Sequence, residues 1–237
     1  MRVISTVHKP GFEVYGQRWV DGARNWPGGT EFILYTEGFT LEDSVIEGRR
    51  IEYVARAEEF KRKYAHYRPV LWQWNIVGFG NKVFAAHDAL YDYKGIAVWL
   101  DADAITYKPL PAGYVEAMLP QGAYMAMFKR QGMQTETGFW VMDCSHPEHK
   151  RFLDMWIKWL ESGQFKTLNQ WCDASTLDAT VRIFEKHDAI QTVSLSGAFE
   201  RDMHPMAKTD IARYIDHLKG SRKDLPASPE NIFRNAA

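Results

Sequence analysis

The segment Gly95-Ile-Ala-Val-Trp-Leu-Asp101-Ala-Asp103 is the strongest indication of the fold class in this sequence. A run of apolar, partly β-branched residues ends abruptly in two carboxylates one residue apart. Such a run is typical of a buried strand, and open α/β sheets bind their ligands at the C-terminal edge of these strands. Where the strand frays, Asp101 and Asp103 can converge on one divalent cation. The alternative is a strand that ends in solvated acids or a capping turn, because an Asp-x-Asp is common by chance.

A second motif, His217-Leu-Lys-Gly220-Ser-Arg-Lys223, lies near the C-terminus. Its imidazole can supply a third metal ligand, its glycine lets the backbone approach a phosphate, and Lys223 can place a positive charge on that phosphate. The same residues also suit a helix end, with His217 and Lys219 at the C-terminal dipole and Gly220 as the C′ residue. The apolar face of that predicted helix comprises Ile211, Tyr214, Ile215 and Leu218.

Together the two motifs resemble the metal-dependent glycosyltransferases of the GT-A fold. The nearest group is the retaining one that includes glycogenin and the bacterial lipopolysaccharide galactosyltransferases. The resemblance implies an α/β fold with a mainly parallel central sheet flanked by helices. It also implies Mn²⁺ or Mg²⁺ bound by Asp101, Asp103 and His217, with a UDP-sugar as donor and with Gly220 and Lys223 on its diphosphate. The family usually has Pro-Trp after the lysine, whereas Asp224-Leu225-Pro226 follows here.

Three further residues are candidates for the chemistry. By resemblance, Asp173 touches the donor sugar in retaining enzymes, or is the general base in inverting ones; alternatively it caps the next helix. The retaining group usually has glutamine next to this acid, where this chain has Ala174, so the stereochemical outcome stays open, with retention predicted. By the same resemblance, Lys82 at the start of its helix would reach the donor phosphate or sugar; alternatively it is a solvated helical lysine. Glu136 precedes a predicted strand in the donor and acceptor region, and is otherwise an exposed loop acid.

The nucleotide is predicted to lie over the C-terminal end of the first strand. That end is formed by Thr6, Val7 and His8. The nucleotide-binding set therefore comprises Thr6, Val7, His8, Lys82, Asp101, Ala102, Asp103, Gly220 and Lys223. The catalytic set comprises Asp173, Glu136 and Lys223.

The remaining elements follow from periodicity and capping signals. Strands are predicted at 2–7, 31–35, 122–128 and 138–142, and helices at 12–26, 58–67, 81–91 and after 173. The stretch Ser145-His-Pro-Glu148 is predicted to be a capping box that starts a helix through Leu160.

Length and composition are consistent with one globular domain. The 237 residues are 46% hydrophobic and 14% aromatic, which excludes a disordered chain. We expect a single domain, 1–237, with a nucleotide-binding half at 1–108 and an acceptor and donor-sugar half at 109–237. The formal net charge of −1 gives no global electrostatic case for nucleic acid, and no apolar stretch is long enough to span a membrane. The N-terminus is too short for a signal peptide, and two cysteines form no disulfide framework, so a cytoplasmic location is expected.

The acceptor is left open between two classes. The stretches 8–15 and 81–84 resemble small phage-type glycosyltransferases, some of which modify hydroxymethylated bases in DNA. Tryptophans at the surface would equally suit a saccharide acceptor. Two rival functions are a sugar-1-phosphate nucleotidyltransferase and a non-catalytic module that binds a nucleotide sugar or a cation. The loop Val7-His-Lys-Pro-Gly11 argues against the nucleotidyltransferase, because it is not a Gly-rich, Arg/Lys-bearing loop.

Overall fold

A computed structural model describes residues 1–67, 69, 71–196 and 204–235. Its centre is a seven-stranded sheet, and a two-stranded sheet lies beside it. In chain order the strands are β1 (Arg2–His8), β2 (Glu31–Glu37), β3 (Ile46–Arg50), β4 (Ile96–Leu100), β5 (Ala104–Thr106), β6 (Met125–Phe128), β7 (Glu136–Asp143), β8 (Thr192–Ser194) and β9 (Ile215–His217).

The large sheet has the order β3-β2-β1-β4-β7-β6-β8. The pairs β1–β2, β2–β3, β1–β4 and β6–β8 are parallel, whereas β4–β7 and β6–β7 are antiparallel. The predicted mainly parallel α/β sheet is therefore confirmed. The apolar run of β4 forms a central strand because both of its faces are covered. Its residue Val98 packs in one apolar core, and Trp99 packs in the other, on the opposite face.

Helices cover both faces of this sheet. The helix predicted at 12–26, after β1, is part of one continuous but irregular helical segment. A π-turn interrupts its regular α-helix, and a 3₁₀ turn ends it. The α-helices are α1 (Lys9–Gly11), α2 (Gln17–Gly22), α3 (Ala55–Lys63), α4 (Ile76–Leu90), α5 (His149–Glu161), α6 (Asp173–Lys186) and α7 (Ile232–Asn235). The π-turn is Phe12–Gly16, and the 3₁₀ turns are Ala23–Asn25, Ile51–Tyr53, Trp72–Trp74, Glu116–Met118, Gln164–Thr167, Asp210–Arg213 and Gly220–Arg222.

Several predicted helix starts differ from the structure. Helix α3 begins at Ala55, three residues before the predicted start at 58. Helix α4 begins at Ile76, five residues before the predicted start, because the Asn75 side chain accepts a hydrogen bond from the Gly78 amide at 3.2 Å. The predicted capping box at 145–148 is wrong. Helix α5 begins at His149 without a side-chain cap, and the Ser145 hydroxyl instead accepts a hydrogen bond from the Gly95 amide at 3.0 Å.

The C-terminal motif is not at the end of a helix. A 3₁₀ turn, Asp210–Arg213, is followed by β9, which pairs antiparallel with β5 so that His217 lies opposite Ala104. Gly220 has a φ of 68°, the left-handed region that favours glycine. The alternative of a helix end over 211–218 is therefore wrong, because a strand distant in sequence provides hydrogen bonds that the local pattern does not reveal.

Across the described parts of the chain, none of the helices combines the length and the apolar character needed to cross a bilayer.

Candidate active site

The pairing of β5 with β9 brings the two sequence motifs together. Asp101 and Asp103 follow β4 directly, and His217 ends β9. Nε2 of His217 is 2.9 Å from Oδ1 of Asp103 and 3.9 Å from Oδ2 of Asp101. One ligand atom from each of the three side chains lies within 4.8 Å of the others. Residues that are 114 positions apart thus form one cluster at the C-terminal edge of the sheet.

Burial and neighbouring charges shift the pKa values of His217 and Asp103. Burial would lower the pKa of His217, but Asp103 and neighbouring carboxylates outweigh burial, so its pKa is raised above the ordinary value. Burial would raise the pKa of Asp103, yet His217 and Lys223 lower it well below the usual range. Without a metal, both pKa shifts favour an ion pair between a protonated His217 and an ionised Asp103.

The donor set fits a divalent cation. Two carboxylates and an imidazole are ligands that Mn²⁺ accepts, and carboxylates also suit Mg²⁺. The backbone of β7 leaves room for the imidazole only because residue 138 is glycine. A Cβ there would lie 2.2 Å from Cε1 of His217 and 3.2 Å from Oδ2 of Asp101. The close approach of Gly138 to both ligands supports a built cation site.

Lys223 stands beside the acidic pair. Its Nζ lies 2.8 Å from Oδ2 of Asp103 and 4.7 Å from the centre of the Tyr15 ring. Arg18 donates hydrogen bonds to the carbonyl oxygens of Lys223 and of Leu225, the latter at 2.7 Å. The helical segment after β1 therefore positions the C-terminal lysine over the cluster.

Lys82 is buried between two carboxylates. Its Nζ lies 2.8 Å from Oδ1 of Asp101 and 2.8 Å from Oδ2 of Asp173, and it donates to the Thr137 carbonyl at 3.0 Å. These carboxylates raise the pKa of Lys82 although burial opposes the shift. The solvated-lysine alternative is therefore wrong. Asp173 is not a helix cap either, because Cys172 is the N-cap residue of α6 and Asp173 accepts a hydrogen bond from the Thr137 hydroxyl at 2.6 Å.

Glu136 is a buried carboxylate at the start of β7, not an exposed loop acid. It forms an ion pair with Lys219, lies 3.9 Å from Arg130 and accepts a hydrogen bond from the Gly138 amide at 3.2 Å. Burial opposes its ionisation, but Lys219 and neighbouring histidines lower its pKa well below the ordinary value. His204 lies beside it, and burial lowers the pKa of that imidazole to about 4.

Two adjoining cavities open onto these side chains. The larger has a volume of about 510 Å³, and the smaller, over the end of β1, about 160 Å³. Among the predicted residues, the larger cavity is lined by Lys82, Asp101, Asp103, Glu136, Asp173, His217, Gly220 and Lys223. The smaller is lined by Thr6, Lys82, Asp101, Ala102, Asp103 and Lys223.

Two predicted nucleotide contacts lie elsewhere. Val7 packs in an apolar core, and His8 is exposed at the end of β1, so neither side chain lines these two cavities. Residues that sequence reasoning missed line them instead: Tyr15, Trp72, Phe79, Arg130, Gln134, Gln170 and Lys219. Only Lys219 could have been identified from the sequence, because it lies inside the C-terminal motif.

A polar cleft of about 710 Å³ continues from the larger cavity. The two share Gln134 and Gln170. The cleft is further lined by Gly132, Met133, Thr167, Leu168, Asn169, Ser175, Asp178 and Arg182. Space for a second, hydrogen-bonding molecule therefore adjoins the carboxylate cluster.

No protein-family model and no curated protein matches this sequence. Solved structures do match. The fold is similar to that of an active-site mutant of LgtC, with a TM-score of 0.55 and 10% identity over 99% of this chain and 94% of that one. The apo structure of WbbM, a bifunctional glycosyltransferase, matches with a TM-score of 0.50 and 10% identity over 83% of this chain and 38% of WbbM. The apo form of mouse xyloside xylosyltransferase 1 matches with a TM-score of 0.48 and 10% identity over 82% and 84% of the two chains. The likeness to LgtC and WbbM shows that this chain has a GT-A fold.

Proposed function

We propose that this protein is a metal-dependent glycosyltransferase that moves a sugar from a nucleoside-diphosphate sugar, in the first instance a UDP-sugar, to an acceptor hydroxyl. The observation that carries the proposal is the convergence of Asp101, Asp103 and His217, with Lys223 beside them, on one cavity. The GT-A fold shared with WbbM, which is described as a glycosyltransferase, supports it.

The diphosphate is the group that this arrangement suits best. Mn²⁺ or Mg²⁺ held by Asp101, Asp103 and His217 would neutralise its charge. Lys223, which pairs with Asp103 in the free protein, would turn to the diphosphate and offset charge that develops on the leaving oxygen. Gly220 presents an open backbone surface to the cavity, since a Cβ there would meet no atom within 4 Å. A phosphate could therefore approach the peptide closely.

The nucleoside would lie over the end of β1. There the smaller cavity is lined by Thr6, Tyr15, Phe79 and Ala102, which offer one hydroxyl-bearing side chain and two aromatic rings. Val7 and His8 would contribute through the backbone of the strand, because neither side chain lines the cavity. This position agrees with the ligand edge of parallel sheets.

The contacts of Asp173 favour retention over inversion. Its Oδ2 already accepts hydrogen bonds from Lys82 and from Thr137, so an acceptor proton would have to compete with a buried ammonium for that oxygen. Retention requires no strong protein base, because the acceptor attacks from the face of the leaving group. We assign Lys82 and Asp173 to holding the donor sugar. Glu136, which lines the same cavity, would then face the sugar or the acceptor.

The acceptor is a saccharide or a hydroxymethylated base in DNA. The adjoining cleft of about 710 Å³ offers amide, hydroxyl, carboxylate and guanidinium groups, which suit a hydroxyl-rich acceptor. Duplex binding that weakens steeply with added salt would support the DNA acceptor. No detectable duplex binding at low salt would exclude it.

Calorimetric titration of UDP, with and without Mn²⁺, tests the donor site. We expect Mn²⁺-dependent binding by the wild type, its loss in Asp103→Asn, and unchanged binding in Asp92→Asn, a matched change at an exposed aspartate that pairs with Lys150. If another nucleoside diphosphate binds with metal and UDP does not, only the choice of nucleotide is wrong. If no nucleoside diphosphate binds in a metal-dependent way, the proposed function is wrong.

An assay of turnover distinguishes an enzyme from a non-catalytic binding module. With UDP-sugar and Mn²⁺ present, the wild type should release UDP, and the anomeric configuration of the product, read by NMR, reports retention or inversion. Tight metal-dependent binding without any release of UDP, tested with saccharides and with hydroxymethylated duplex DNA, would identify the non-catalytic module.

A further inference from the structure

Beside the proposed donor site lies a second group of metal-ligating side chains. Glu136, His204 and His217 each offer one ligand atom within 4.8 Å of the others. The rings of His204 and His217 meet edge to face, with centroids 4.6 Å apart and planes at 78°. Nε2 of His204 lies 3.7 Å from Oε2 of Glu136, which is too long for a hydrogen bond.

Two imidazole nitrogens of this group have no partner. Within the described residues, Nε2 of His204 and Nδ1 of His217 are buried and make no hydrogen bond. The side chains of His204 and His217 are 6% and 1% exposed. A buried polar atom without a partner costs free energy, so two of them side by side near a carboxylate indicate a ligand that satisfies them.

The chemistry of this group differs from that of the Asp101–Asp103 pair. Two imidazoles and one carboxylate form a nitrogen-rich set of the kind that binds Zn²⁺ with four ligands. Mn²⁺ and Mg²⁺ favour the oxygen-rich pair. A cavity of about 10 Å³ borders both histidines, which is near the lower limit for one water molecule that could act as the fourth ligand.

A cation already neutralises this carboxylate. The ammonium of Lys219 pairs with Glu136, but the Lys219 side chain is 45% exposed. It can therefore withdraw into solvent when a metal ion takes its place. The zinc ion then takes over from the ammonium as the counter-charge, so the buried carboxylate is never left without a partner.

We propose that Glu136, His204 and His217 bind Zn²⁺ at a second cation site. This site would compete with the Asp101–Asp103 site for His217, because a neutral imidazole offers only one nitrogen lone pair, and zinc binding there would release the proton of Nδ1. This inference does not depend on the proposed transferase function, because it concerns another ion and is tested without substrate. His204 has no role in the proposed donor site, so it is the residue that distinguishes the two sites.

Zinc titration of the metal-free, full-length chain against a chromophoric chelator tests the proposal. The background is Asp101→Asn/Asp103→Asn, which removes the carboxylates of the first site. We expect this background to retain one Zn²⁺ per chain, and His204→Gln within it to weaken binding at least thirtyfold. His146→Gln serves as the matched control and should leave the affinity unchanged. Absence of zinc binding in a folded background, or binding that His204→Gln does not weaken, would overturn the proposal.

Two measurements keep the test decisive if the background variant does not fold. X-ray absorption at the zinc edge of the wild type with one equivalent of Zn²⁺ should give two imidazole ligands, whereas one imidazole would place the ion at the first site and overturn the proposal. Lys219→Met removes the competing ammonium and should tighten zinc binding several-fold. A gain of affinity cannot arise from misfolding, and unchanged or weaker binding in this variant would count against the site.

Discussion

Replacing Lys82 with methionine should remove the cation that stabilises a buried carboxylate. Lys82 Nζ contacts Asp101 and Asp173 at 2.8 Å each and the Thr137 carbonyl at 3.0 Å. Asp101 is 28% exposed and can become hydrated after the substitution, whereas Asp173 is only 5% exposed and cannot. The cost is therefore that of one uncompensated buried charge, about 3–5 kcal/mol in the free energy of unfolding.

Urea unfolding of the metal-free protein in the presence of a chelator measures this cost. Lys82→Met/Asp173→Asn should recover more than half of the loss, because the second change removes the stranded charge. Lys129→Met, at a half-exposed pair with Glu185, is the control and should cost at most about 1 kcal/mol. A loss below about 1 kcal/mol in Lys82→Met, or a double variant no more stable than the single one, would contradict the prediction of a stranded buried charge.

Two further predictions concern neighbours of His217. Burial lowers the pKa of His204 from 6.5 to about 4, so the unfolded chain takes up a proton that the folded chain does not. The stability of the metal-free protein should therefore fall by about 3 kcal/mol as the pH drops from about 6.5 to about 4. Urea midpoints across that range should decline less in His204→Gln, and parallel curves would contradict the assignment. Gly138→Ala places a Cβ 2.2 Å from Cε1 of His217, so Mn²⁺ affinity measured by calorimetry should fall at least tenfold and stability by about 1–3 kcal/mol. Gly28→Ala, where a Cβ meets no atom within 4 Å, is the control, and equal Mn²⁺ affinities in both variants would show that Gly138 does not shape the site.

Local sequence patterns were sufficient to predict an element of structure where the residues of that one segment contain the whole pattern. The apolar run from Ile96 to Leu100 predicted the central strand, because a strand covered on both faces must be apolar throughout. The carboxylates that follow it were located correctly for the same reason. The three side chains predicted to bind a cation, Asp101, Asp103 and His217, do lie together, although His217 belongs to a strand and not to the helix end that was the alternative.

The parts of the structure that local patterns did not predict depend on contacts between residues far apart in the sequence. His217 lies in a strand rather than at a helix end because Ala104–Thr106, far away in the sequence, supplies its hydrogen bonds. A single segment does not show which distant strand will pair with it.

Short-range periodicity and composition were enough to predict the α/β class, the central strand and the types of residue that could bind a cation. Packing of the whole chain was needed to bury Lys82 between Asp101 and Asp173, to bury Glu136 beside Lys219 and to bring His204 against His217. The ionisation and the ligand capacity of these groups depend on burial and on neighbours tens of residues away. Such neighbours are assembled by packing of the whole chain, which no local pattern encodes.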